Sequence, residues 1–98
     1  MSEPIRVVLA DDHTLFRKGL AELLEQQGRI RVAGITGNTD DALKMVLELQ
    51  PDAVVVDLKM PPQGGLQLLR RLKAEQWQGA ALILTVSDDE DDLANALR

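Results

Sequence analysis

Apolar runs of strand length alternate with segments of helical period along the whole chain. Ile5 to Ala10 (IRVVLA) is rich in β-branched residues and ends abruptly at Asp11-Asp12, which predicts a first strand. Leu15, Phe16, Gly19, Leu20, Leu23 and Leu24 then recur at helical spacing, and Gln27-Gly28 closes that helix. Ile30 to Ile35 alternates apolar with polar or small residues, as an edge strand with one wetter face does. Thr39 is the expected N-cap of a second helix carrying Ala42, Leu43, Val46, Leu47 and Leu49, and Pro51 stops it. Ala53 to Val56 is short, wholly apolar and followed by Asp57, the pattern of a strand buried on both faces. Leu66, Leu68, Leu69 and Leu72 mark a third helix. Gly79 precedes a fourth strand, Ala81 to Val86, and a fourth helix begins near Asp88. No repeat, linker or low-complexity stretch interrupts the alternation.

Alternation of this kind predicts βαβ units with right-handed crossovers and a parallel sheet. Polar residues sit where the strands end. In open α/β sheets ligands bind outside the carboxyl ends of the strands, where strand order reverses. Three strands therefore deliver Asp11 and Asp12, Asp57, and Thr85 and Ser87 to one edge of one sheet.

Composition narrows the chemistry. With 98 residues, 45% hydrophobic and 28% charged, the chain is expected to be one globular domain. One Phe, one Trp and no Tyr leave no platform for stacking bases, and a net charge of -5 gives no phosphate-seeking surface. The absence of Cys excludes disulfides, a thiol nucleophile and Cys-ligated zinc, and a single His excludes His-rich metal sites. No apolar run approaches the ~18 residues of a membrane span, and no secretory leader opens the chain; a cytoplasmic location is expected.

The acidic rim has its own logic. Two adjacent carboxylates and a third from another strand repel one another unless a cation joins them. Oxygen-only ligation by few protein groups suits Mg²⁺, which keeps several waters and meets phosphate oxygens. An Asp beside such a metal can attack phosphorus to give an aspartyl phosphate, and a hydroxyl from a neighbouring strand can hydrogen-bond the arriving phosphoryl oxygen.

At these residues the sequence resembles the receiver domain of bacterial two-component response regulators, most closely the NarL/FixJ (LuxR-type) transcription factors. The likeness runs from Ile5 to Arg98 and is carried by VVLADDHTLFRKGL, VVVDLKMPPQGGLQLL and LILTVSDDED, with Gly65 eight residues after Asp57. It implies a flavodoxin-like (CheY-like) α/β fold with strand order 2-1-3-4-(5). Asp57 looks like the phosphoacceptor, Asp11 and Asp12 like the acidic pair that with Asp57 holds Mg²⁺, and the backbone carbonyl of Lys59 like a further metal ligand. Thr85 resembles the switch hydroxyl, and Pro61 and Gly65 shape the loop after the acceptor. The implied partner is a histidine kinase, whose phosphohistidine supplies the phosphoryl group. The implied role is a signalling switch that catalyses only its own phosphorylation and dephosphorylation. Receivers of this kind also carry a fifth strand ending in Lys, a fifth helix and a C-terminal helix-turn-helix. None follows in residues 1–98, so the expectation is an incomplete receiver, with DNA binding only through an absent downstream domain and dimerisation through the fourth helix or an exposed fourth strand.

Plainer roles stand beside these. Asp11 and Asp12 can cap the first helix while one of them still faces a metal. Ser87 to Glu90 reads as a capping box, and the acidic run Asp88 to Asp92 as charge favoured at a helix N-terminus. Thr85 can be a β-branched strand residue, and His13 an exposed loop residue. Trp77 is expected at the end of the sheet away from the acids. Two rival functions remain: a receiver-like interaction module without phosphotransfer, and a small phosphohydrolase working through an aspartyl phosphate. The second is disfavoured because Lys59 stands where such enzymes use a general acid.

Overall fold

The structure, a computed structural model, describes residues 3–58 and 64–84. Its elements run β1 (Ile5–Ala10), α1 (Thr14–Gln26), β2 (Ile30–Thr36), α2 (Thr39–Leu49), β3 (Ala53–Asp57), α3 (Gly65–Ala74) and β4 (Ala80–Leu84). All strand pairs are parallel, as the alternation predicts, and the order is β2-β1-β3-β4, as the family resemblance implies for the first four strands. The order reverses between β1 and β3, so the crevice at their carboxyl ends is the switch point of the sheet.

The strands' alternation divides the core in two. Val8, Ala10, Val54 and Val56 face Ala42 and Val46 of α2 and Leu68 and Leu72 of α3. Val7, Leu9 and Val55 face the other way, against Leu20, Ala21 and Leu24 of α1. β1 and β3 are thus covered on both faces, and their wholly apolar runs are explained.

Two local expectations change. The N-cap of α2 is Asn38, whose Oδ1 accepts from the backbone N–H of Asp40 (2.8 Å) and Asp41 (3.1 Å); Thr39 is the first helical residue, and buried. Asn38 wins because its backbone is extended and its amide oxygen reaches the free N–H groups of the first turn. In α1, Leu15, Phe16 and Leu23 are exposed although they share the helical period of Leu20 and Leu24. In β4, Leu82 is 60% and Ile83 48% exposed. In the described sheet β4 is an edge strand, and α1 and α2 lie over the other strands. α2 ends as expected before Pro51, with Gln50 in a left-handed cap whose N–H donates to the Val46 carbonyl. Lys59, Pro61, Thr85, Ser87 and the fourth helix expected from Asp88 lie outside the described residues.

Candidate functional site

Asp11 follows β1 directly, its N–H still paired to the Thr36 carbonyl of β2 at 2.9 Å. Asp57 is the last residue of β3. In register Ala10 lies opposite Val56, so the two strand ends bring these aspartates level across the switch point. Both are almost fully buried, at 2% and 1% exposure, whereas the Asp12 side chain turns partly outward. One oxygen from each of the three, together with His13 Nδ1, falls within 4.8 Å of the others. The expected trio is therefore assembled, and its members come from two strand ends rather than from one local run.

Each oxygen of Asp11 has a different environment. Oδ1 accepts from the His13 backbone N–H and sits against His13 Nδ1, both at 2.8 Å. This bond closes the turn ahead of α1 and uses one oxygen only; the N-cap of α1 is His13, with no side-chain cap hydrogen bond, so the expected capping by Asp11 or Asp12 is not found. Oδ2 is buried and has no hydrogen-bond partner among the described residues. Burying an ionised oxygen without a donor is costly, so the site is built to receive one.

His13 is more than the exposed loop residue expected of it. Half-exposed, its Nδ1 also lies 3.2 Å from Asp12 Oδ1 and 3.5 Å from Asp57 Oδ2, facing all three carboxylates. Its pKa is raised above the ordinary 6.5 by the hydrogen bond to Asp11; partial burial opposes this, and the charges of Asp11, Asp12 and Asp57 add to it. A second cation comes from α1, where the half-buried Arg17 donates from Nη1 to the Asp11 carbonyl at 3.0 Å. Sequence reasoning gave His13 only a loop role and passed over Arg17. The signal for His13 was its position directly after the acidic pair; Arg17 gave none.

The loop after Asp57 returns through a tight contact. Gly64 has φ +83°, and the Gly65 N–H donates to the Leu58 carbonyl at 2.9 Å. A Cβ on Gly65 would stand 2.6 Å from both the Asp57 carbonyl oxygen and Val56 Cγ1, so only glycine lets α3 start this close to the acidic strand end. At the opposite end of the sheet, Trp77 Nε1 donates to the Pro51 carbonyl at 3.3 Å. The tryptophan thus lies away from the acids, as expected.

The donor set fits a hard divalent cation: three carboxylates converge, two are buried, and one buried oxygen lacks a donor. A cation here would remove the repulsion that otherwise opposes the convergence.

Comparison with known proteins shows which family shares this sequence and fold. A family profile described as the response regulator receiver domain matches residues 7–98. The nitrate/nitrite response regulator protein NarL of Escherichia coli K12 is 32% identical over 96 residues, covering 98% of this chain and 44% of that protein. A protein-glutamate methylesterase/protein-glutamine glutaminase of Halalkalibacterium halodurans is 34% identical over 97 residues, covering 99% of this chain and 28% of that protein. The chain therefore spans less than half the length of these curated relatives, and the shared segment is common to proteins of different output. The signal receiver domain of NarL from Mycobacterium tuberculosis superposes with a TM-score of 0.84 at 29% identity, over 98% of this chain and 77% of that one. Fold, strand-end acids and similarity converge: the chain belongs to the response regulator receiver domain family.

Proposed function

We propose that Asp57 is the phosphoacceptor of a two-component phosphorelay. An Asp57 carboxylate oxygen attacks the phosphorus of a phosphohistidine on a histidine kinase. The P–N bond breaks, its electron pair passes to the imidazole nitrogen, and that nitrogen takes a proton. Asp11, Asp12 and Asp57, with the backbone carbonyl of Lys59, would hold Mg²⁺. When bound, the metal offsets the charge gathered between carboxylates and phosphoryl oxygens. Thr85 supplies the hydroxyl that meets the phosphoryl group. The new charge then biases a surface read by an attached transcription-regulating domain, which binds DNA. The module itself turns over no other substrate.

The observation that carries this reading is the buried, donor-less Asp11 Oδ2 beside buried Asp57. A cluster serving only to cap α1 has no use for it. The test is incubation with acetyl phosphate and Mg²⁺, followed by mass analysis of the parent and Asp57→Asn. An acid-stable, base-labile phosphate on the parent and none on the variant is expected. No adduct on the parent would favour a receiver-like interaction module, and steady release of inorganic phosphate without a lasting adduct would favour a phosphohydrolase.

A further inference from the structure

We infer that Arg17 and Gly37 form a positioning pair for the acidic pocket: Arg17 ties down the Asp11 carbonyl, and Gly37 leaves the space in which the guanidinium lies. The inference rests on the reading of Asp11 and Asp12 as metal-holding residues. Three facts carry it. Arg17 Nη1 donates to the Asp11 backbone carbonyl at 3.0 Å, across the turn that presents both aspartates. Arg17 is half-buried, whereas its neighbours Thr14, Leu15, Phe16 and Lys18 are exposed, so this side chain turns inward from the helix. A Cβ built on Gly37, in the β2–α2 loop, would overlap Arg17 Nη1, and would lie 3.4 Å from the Asp12 Cα.

The physical role follows from the like charges gathered in the turn. Asp11 and Asp12 carry like charges that push the turn away from Asp57, and among the described residues the turn is held by the Asp11 N–H to the Thr36 carbonyl and the His13 N–H to Asp11 Oδ1. A charged donor on a carbonyl is among the stronger hydrogen bonds. Because Arg17 takes the backbone rather than a carboxylate, the side-chain oxygens stay available for a cation. Arg17 acts here through Asp11, as outer partners of metal ligands do.

The geometry provides its own control. Gly37 shows no left-handed backbone, so alanine is permitted there, and the atom its methyl group meets first is the far end of a flexible side chain. Gly37→Ala should evict the guanidinium and leave the fold intact. Mn²⁺ binding, followed by electron paramagnetic resonance, should weaken about tenfold in Arg17→Met and about as much in Gly37→Ala. The double variant should bind no more weakly than either single one, since both remove the same tie. With acetyl phosphate, each variant should need more Mg²⁺ for half-maximal labelling of Asp57 yet reach the parent's rate at saturation, a split that general destabilisation does not produce. Parent-like Mn²⁺ affinity in either single variant overturns the inference, as do losses that add in the double. A parent that takes up no Mn²⁺ overturns the metal reading beneath it, which separates the two failures.

Discussion

His13 holds a proton more tightly in the folded chain than in the unfolded one, because the hydrogen bond to Asp11 and three nearby carboxylates favour its charged form. Its contribution to stability is therefore complete below the unfolded value near 6.5 and fades as pH rises through the higher folded value. Without metal, the parent should melt above His13→Gln by a margin that is widest near about pH 6 and small near about pH 8. A margin that does not change with pH would show that the imidazole is not paired with the acids. Gly65 makes a second residue-level test. Its missing Cβ lets α3 approach within contact of backbone at Asp57 and Leu58, and backbone does not yield cheaply. Gly65→Ala should destabilise by about 1–3 kcal/mol in denaturant titrations, the usual range for overpacking; a neutral outcome would mean the start of α3 can shift freely. Asp11, Asp12 and Asp57 were legible in the sequence because acids directly after apolar strands must lie at a sheet rim. Arg17, Gly37 and the cluster-facing His13 were not. Their partners are reached across loops whose path no periodicity encodes.

α1 shows both the power and the limit of helical period. The spacing matched its extent, yet seven apolar or small positions cover a wider arc than one sheet face can bury, and among the described residues Leu20, Ala21 and Leu24 pack on that face. Period tells which residues share a side; it does not tell how much of that side meets a partner. Gly19 lies in the middle of this helix, with nothing among the described residues within 4 Å of where a Cβ would stand. A glycine there loses more backbone freedom on folding than alanine does and packs against nothing in return. Gly19→Ala should raise stability by about 0.5–1 kcal/mol and shift the thermal midpoint upward without altering Mn²⁺ binding. A drop in stability would mean that something packs on the exposed side of α1. Elsewhere α1 shields the sheet: Glu25 Oε1 accepts from the Val32 N–H of β2 at 3.1 Å, satisfying a donor on an edge strand.

At the scale of the whole molecule the two edges of the sheet are treated differently. β2 is bent by an irregularity opposite Val7 and Val8 and has one of its N–H groups covered by Glu25. β4 has neither device among the described residues. It pairs with β3 on one side, its sequence AALIL contains no charge and no proline, and Leu82 and Ile83 stand largely in water. Such an edge offers free N–H and C=O groups and apolar side chains together, which is the template for adding another strand. Burial of the exposed leucine and isoleucine favours that pairing by ~25 cal/mol for each Å² removed from water. The 98-residue chain should therefore self-associate, and sedimentation at increasing concentration should show its apparent mass rising. A lysine in the strand opposes pairing by putting a charge where an apolar neighbour would lie, so Leu82→Lys should shift the distribution back toward monomer while leaving β3 and the acidic pocket in place. Mn²⁺ binding by that variant checks the second half of the statement. A parent chain that stays monomeric over the whole concentration range would show that β4 is covered by residues beyond those described, and the pairing argument would then fail.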